Sequence, residues 1–252
     1  MNTPAPSKTS LFDYTLALAD DALVSAQRMG WWISRAPELE EDVALANIGL
    51  DQLGQARHLL TYAGELEEAG RTEDDLAYLR DDRDFRNVQL VERPMADFGV
   101  AMARLLVFAT YQLHLYRGLA VSDDGPLAAV AAKAVKEVTY HVDHASRWVL
   151  RLGDGTDESH TRMQAALDAE WPFVDELFTP CHPSLSGRLA DPAALRDPVL
   201  TEIRRVVTEA TLTVPEVPPA RGGGREGLHT EHLGYLLAEM QHLHCSHPGA
   251  TW

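Results

Sequence analysis

Cysteine is almost absent from this chain: Cys181 and Cys245 are the only two in 252 residues. Two cannot build the disulfide framework of a small secreted protein, and without C-x-x-C spacing they form neither a zinc nor a redox motif. A reducing, cytoplasmic setting is therefore expected. Basic residues are scarce too, with 22 Lys plus Arg against 38 Asp plus Glu. The formal charge of −16 opposes phosphate backbones and anionic membrane surfaces, so no nucleic acid and no membrane are expected as partners. The N-terminus, MNTPAPSKTS, lacks the basic and apolar regions of a signal peptide. The most apolar run, Phe98 to Leu115, is broken by Arg104, Gln112 and His114, which argues against a membrane span. Period-two alternation bounded by turns is also missing, which leaves no material for a sheet.

What remains is helical. Hydrophobic residues make up 45% of the chain and recur at three- and four-residue spacing, so the fold class is all-α, a bundle of four long helices with additional C-terminal helices. One domain over 1–252 is expected, with a flexible N-terminus at 1–10, the four-helix core over 11–155, and additional helices with a Pro/Gly-rich loop over 156–252. The core helices are placed at about 11–34, 37–70, 97–119 and 126–152. The connector RTEDDLAYLRDDRDFRN is at most partly helical, and shorter helices are expected over 161–178, 193–212 and 230–244. The third helix is apolar nearly all round, so its own fold or another chain must cover residues such as Phe98, Leu105, Phe108 and Tyr111. No coiled-coil heptad is expected.

The segment KAVKEVTYHVDHASRW, Lys133 to Trp148, carries the most chemistry. On a helical wheel Val138, Val142 and Val149 share one arc and Lys133, Lys136, Asp143 and Arg147 the opposite one. Glu137 stands on the border, His141 points inward, and Tyr140 and His144 lie nearer solvent. Asp51 occupies a similar border on the second helix and Asp20 an apolar stretch of the first. Long helices with inward carboxylates resemble the ferritin-like di-iron architecture, in which two helices give Glu-x-x-His. Three residues after Asp51 and Glu137, however, stand Gly54 and Tyr140. His141 comes one residue late, which turns its ring by about 100°. Asp20, Asp51, Glu137, Tyr140 and His141 are therefore read as a vestigial polar network, with no catalytic and no metal-binding residue on this chain. The competing reading is a di-iron oxidase using Asp20, Asp51, His58, Glu137 and His141.

Three further motifs invite chemistry and receive plainer readings. His229 and His232 of HTEH straddle Thr230, a helix N-cap, with Glu231 suiting the helix dipole. His242, His244, Cys245 and His247 belong to a frayed C-terminus. RGGGREG, Arg221–Gly227, lacks the strand-turn-helix context of a phosphate loop and reads as a flexible surface loop.

Three long stretches also carry a family resemblance. PELEEDVALANIGLDQLGQARHLL (Pro37–Leu60), AKAVKEVTYHVDHASRWVLRLGDGTDES (Ala132–Ser159) and GLHTEHLGYLLAEMQHL (Gly227–Leu243) resemble the PaaC family, the C-type subunits of bacterial phenylacetyl-CoA epoxidases, which are enzymes of phenylacetate catabolism. The resemblance runs from about Leu11 to Trp252 and fades over Thr179–Asp197. It implies a ferritin-like, structural subunit that pairs with a homologous, catalytic A-type subunit, the holder of the di-iron centre. A small B-type subunit and a reductase complete such a complex. It implies no cofactor on this chain, and the isolated chain is open to forming a homodimer.

Overall fold

A computed structural model describes residues 8–181 and 189–250. Among them run nine α-helices: α1 (Lys8–Gly30), α2 (Leu39–Glu67), α3 (Glu73–Tyr78), α4 (Gln89–Glu92), α5 (Phe98–Leu119), α6 (Gly125–Gly153), α7 (Asp157–Glu170), α8 (Pro192–Glu209) and α9 (Glu231–Ser246). No strand occurs among the described residues. Short connections join α1 to α2 and α5 to α6, and each of these pairs packs along its length, with α2 also lying beside α6. Long helices joined by so few residues must run antiparallel. The segment 68–97 is the one long crossover between the two hairpins, a connection pattern consistent with a ferritin-like bundle. The all-α expectation therefore stands.

Local chemistry explains the bounds. The Asp97 side chain accepts from the Val100 N–H at the start of α5, and Asp124 accepts from the Leu127 N–H at the start of α6. Thr72 and Asp75 form a reciprocal capping box on α3, which gives the charged connector more helix than its composition suggests. The expected helix over 161–178 is corrected to α7, which ends at Glu170. Pro172 has no N–H to continue the ladder, so the chain passes into 3-10 turns at Trp171–Phe173 and Asp175–Phe178.

One other expectation needs correcting, and one left open is decided. The flexible segment 1–10 is not flexible at its end: Lys8, Thr9 and Ser10 belong to α1 and Ser10 is fully buried, while residues 1–7 lie outside the described residues. For α5, its own fold supplies the cover. By length and composition it could cross a membrane, yet 83% of its most apolar window is buried inside the protein. Leu105, Phe108 and Tyr111 are core and Phe98 is half-buried. Arg104 is tolerated there because Glu170 of α7 takes its Nε and Nη2 at 2.8 and 3.1 Å, and the Arg93 and Pro94 carbonyls accept the rest.

Candidate functional site

The polar seam between α2 and α6 is built from the helical pattern. His141 is fully buried, and its Nε2 lies 3.0 Å from Asp51 Oδ2. Its Nδ1 has no hydrogen-bond partner among the described residues. With the Nε2 proton given to Asp51, Nδ1 is a bare lone pair. Protonation would instead strand an N–H in the core. Burial accordingly lowers the His141 pKa, more than the Asp51 hydrogen bond and charge raise it.

This sets a pH dependence. A histidine with a lowered folded pKa stabilises the protein fully above its unfolded pKa of about 6.5, and that contribution is lost as pH falls toward the folded value. The advantage of wild type over His141→Asn in chemical unfolding should therefore shrink below about pH 6.5, by up to about 1.4 kcal/mol per pH unit. A constant difference from pH 7.5 to 5 would contradict a neutral buried imidazole.

Glu137 accepts from Gln55 Nε2 at 3.1 Å and lies 3.3 Å from Lys133 Nζ. Gln55 in turn accepts from the Tyr116 hydroxyl at 3.1 Å. Gln52 and Gln112 exchange amide hydrogen bonds of 2.6 and 3.0 Å between α2 and α5. Tyr140 is exposed and meets the seam through its ring, edge-on to His141 and tilted against His144. His144 Nε2 sits 3.1 Å from Glu41 Oε2, but both atoms lack hydrogen-bond alignment. Burial also lowers the His144 pKa, so this contact contributes little.

Asp20 does not join this seam. It faces the crossover segment, where it accepts from Arg80 Nη1 at 2.9 Å and the Arg86 N–H at 2.8 Å. Beside it Asp21 accepts from Arg225 Nη1 and Nη2 at 3.0 and 2.7 Å and from the Val88 N–H at 2.8 Å. Burial pushes the Asp21 carboxyl up to about 6 against the pull of Arg225 and that amide. Arg225, lowered by burial, is raised further by Asp21, so both are ionised at neutral pH.

Arg225 belongs to RGGGREG, which corrects the reading of that segment as a flexible surface loop. Gly222, Gly223 and Gly227 take positive φ, and a Cβ on Gly224 would lie 2.1 Å from the Asn87 carbonyl oxygen. Buried Glu176 accepts from the N–H groups of Gly223, Gly224 and Gln89 at 2.9, 2.7 and 2.7 Å. The glycines let the backbone approach closely enough for the arginine to enter the core. Composition signals the glycines but not the carboxylates waiting for them.

The remaining histidine motifs are structural as well. Thr230 caps α9. His229 is held between Glu92 Oε2 at 2.8 Å and the Phe85 carbonyl at 3.0 Å. The C-terminal tail is corrected from frayed to helical as far as Ser246, with His244 stacked on Tyr78 at 4.8 Å.

Among the described residues no three His, Cys, Asp or Glu side chains converge to hold a metal ion. The donor set does not fit a carboxylate-bridged di-iron pair. Asp20 is taken by Arg80 and Arg86, Glu137 by Gln55 and Lys133, and Asp51 by His141. His58 points to solvent, and Gly54 and Tyr140 offer no imidazole where one is needed.

The whole chain, residues 1–252, matches the family described as phenylacetic acid catabolic protein. It is 47% identical over 243 residues, 95% of this chain and 98% of the relative, to the Escherichia coli (strain K12) protein named as the C subunit of 1,2-phenylacetyl-CoA epoxidase.

Proposed function

The chain belongs to the phenylacetic acid catabolic protein family, and from that premise we propose that it is the structural, non-catalytic subunit of a cytoplasmic phenylacetyl-CoA epoxidase. Its partners in this reading are a catalytic A-type subunit that holds the di-iron centre, a small B-type subunit and a reductase that supplies electrons. The complex places one oxygen atom of O₂ into the aromatic ring of phenylacetyl-CoA. This chain acts as a scaffold, a single domain over 1–252 whose rigid helices fix the geometry of the catalytic subunit.

The observation that carries the reading is the occupancy of its inner acids by protein groups. Asp20, Asp51 and Glu137 already have an arginine, an imidazole and an amide with a lysine as partners. A metal would have to displace those groups, and in the Asp20 case strand a buried guanidinium. Mixing the chain with the catalytic subunit should give a stable heteromer, and epoxide should form, with the small subunit and the reductase present, only when both large subunits are there. Full turnover without this chain would remove the scaffolding role.

A further inference from the structure

Two acceptors flank one buried imidazole. The His229 side chain is 4% exposed, and its Nδ1 lies 2.8 Å from Glu92 Oε2 while its Nε2 lies 3.0 Å from the Phe85 carbonyl oxygen. A carbonyl can only accept, and the Glu92 carboxylate already accepts from Asn87 Nδ2 and the Thr230 N–H. Each ring nitrogen therefore needs a proton of its own, which makes His229 an imidazolium. Burial lowers its pKa, but the hydrogen bond and charge of Glu92, together with the Phe85 carbonyl, raise it more, to above the ordinary value of about 6.5. A neutral ring can make only one of the two contacts, and fully buried Glu92 then loses the cation bonded to it.

That ring holds a lightly anchored helix. His229 and the N-cap Thr230 lead directly into α9, which buries only Leu233, Leu236 and Leu237. Gln241 ties its far half to the Ala77 and Arg80 carbonyls at 3.2 and 3.0 Å, and Arg28 of α1 reaches the Glu92 and His232 carbonyls at 2.8 and 3.3 Å. A segment with so few buried apolar contacts opens locally at low cost. The other charged groups around it do not replace the imidazolium. Asp20 of α1 adds to the field that keeps the ring charged, and Glu239 of α9 acts on Arg28. Asp82, Arg83, Arg221 and Glu231 line a polar cavity that His229 also borders, and Asp75 and Tyr78 of α3 face His244 at the other end of α9. The cavity gives water a route to the ring.

We propose that α9 is a pH-sensitive latch, clamped to the crossover by a doubly protonated His229 and released from its N-terminal end when that ring loses a proton. The latch does not depend on the scaffold role. A histidine whose pKa is raised by folding contributes fully below its unfolded value of about 6.5, and the contribution is lost as pH rises through the folded value. Hydrogen–deuterium exchange of the full chain from pH 6 to pH 9, corrected for the intrinsic rate, tests it. Protection over Leu233–Leu237 should be greatest near pH 6 and then fall, by up to about tenfold per pH unit, while that of α1, α5 and α6 holds. His229→Gln should leave the start of α9 poorly protected at every pH, with a flat profile. Ring-nitrogen NMR of wild type needs no variant, and both nitrogens of His229 should carry protons at pH 6. A neutral His229 at pH 6, protection of α9 that ignores pH, a decline shared by every helix, or a pH dependence that survives His229→Gln would each overturn the proposal.

Discussion

Arg225→Met should lower the unfolding free energy by about 3–5 kcal/mol at pH 7.5, the usual result of removing one partner of a buried ion pair. Arg225 gives two hydrogen bonds to Asp21 and one each to the Ala17 and Arg86 carbonyls, at 3.1 and 2.8 Å. Without it the Asp21 carboxylate is left uncompensated inside the protein, and α1 loses its tie to the glycine-rich loop. For a chain of this size the fall in Tm should be about 10 °C. The pH dependence has a definite sign. Burial already holds the Asp21 carboxyl up at about 6, and loss of the guanidinium raises it further. A carboxyl raised in the folded state favours folding fully below its unfolded pKa of about 3.9, and that contribution is lost as pH rises through the folded value. The variant should therefore lie closest to wild type near pH 5 and fall away toward pH 8. Urea unfolding at several pH values measures this. A loss below about 1 kcal/mol, or a deficit that grows on acidification, would contradict a buried, ionised pair.

Glu170→Ala should be as damaging, again about 3–5 kcal/mol. Glu170 is shared by Arg104, which is buried in the middle of α5, and by Arg93 at the end of the crossover. Its removal leaves two guanidinium groups facing each other with no anion. Replacing the inner pair together, Arg104→Met with Glu170→Met, should recover most of that loss, because it takes out both buried charges and keeps their volume. Thermal unfolding of the single and double variants decides the matter. A double variant less stable than Glu170→Ala would show that the pair itself, and not the stranded arginine, carries the stability.

These two pairs also show where the sequence stops being legible. The bounds of α5 and α6 could be read because Asp97, Asp124 and the flanking Pro and Gly are local signals. The inward turn of His141 followed from helical periodicity alone, and so did the empty imidazole positions at Gly54 and Tyr140. The place of Asp20 outside the seam is not legible because its partner, Arg80, is sixty residues away in a connector whose fold its composition does not specify. Asp21, Glu170, Glu176 and Arg225 were missed for the same reason, since a buried charge looks like any other charge until its counter-ion is positioned. The glycine-rich loop shows that a composition typical of flexibility also suits tight backbone approach.

Inner carboxylates already partnered by this chain's own side chains are what the scaffold role rests on. Metal analysis of the untagged protein, expressed with ample iron and purified without chelator, tests that most directly. Well below one iron per polypeptide is the predicted result. Close to two, retained through gel filtration, would contradict it and make this chain an oxidase in its own right.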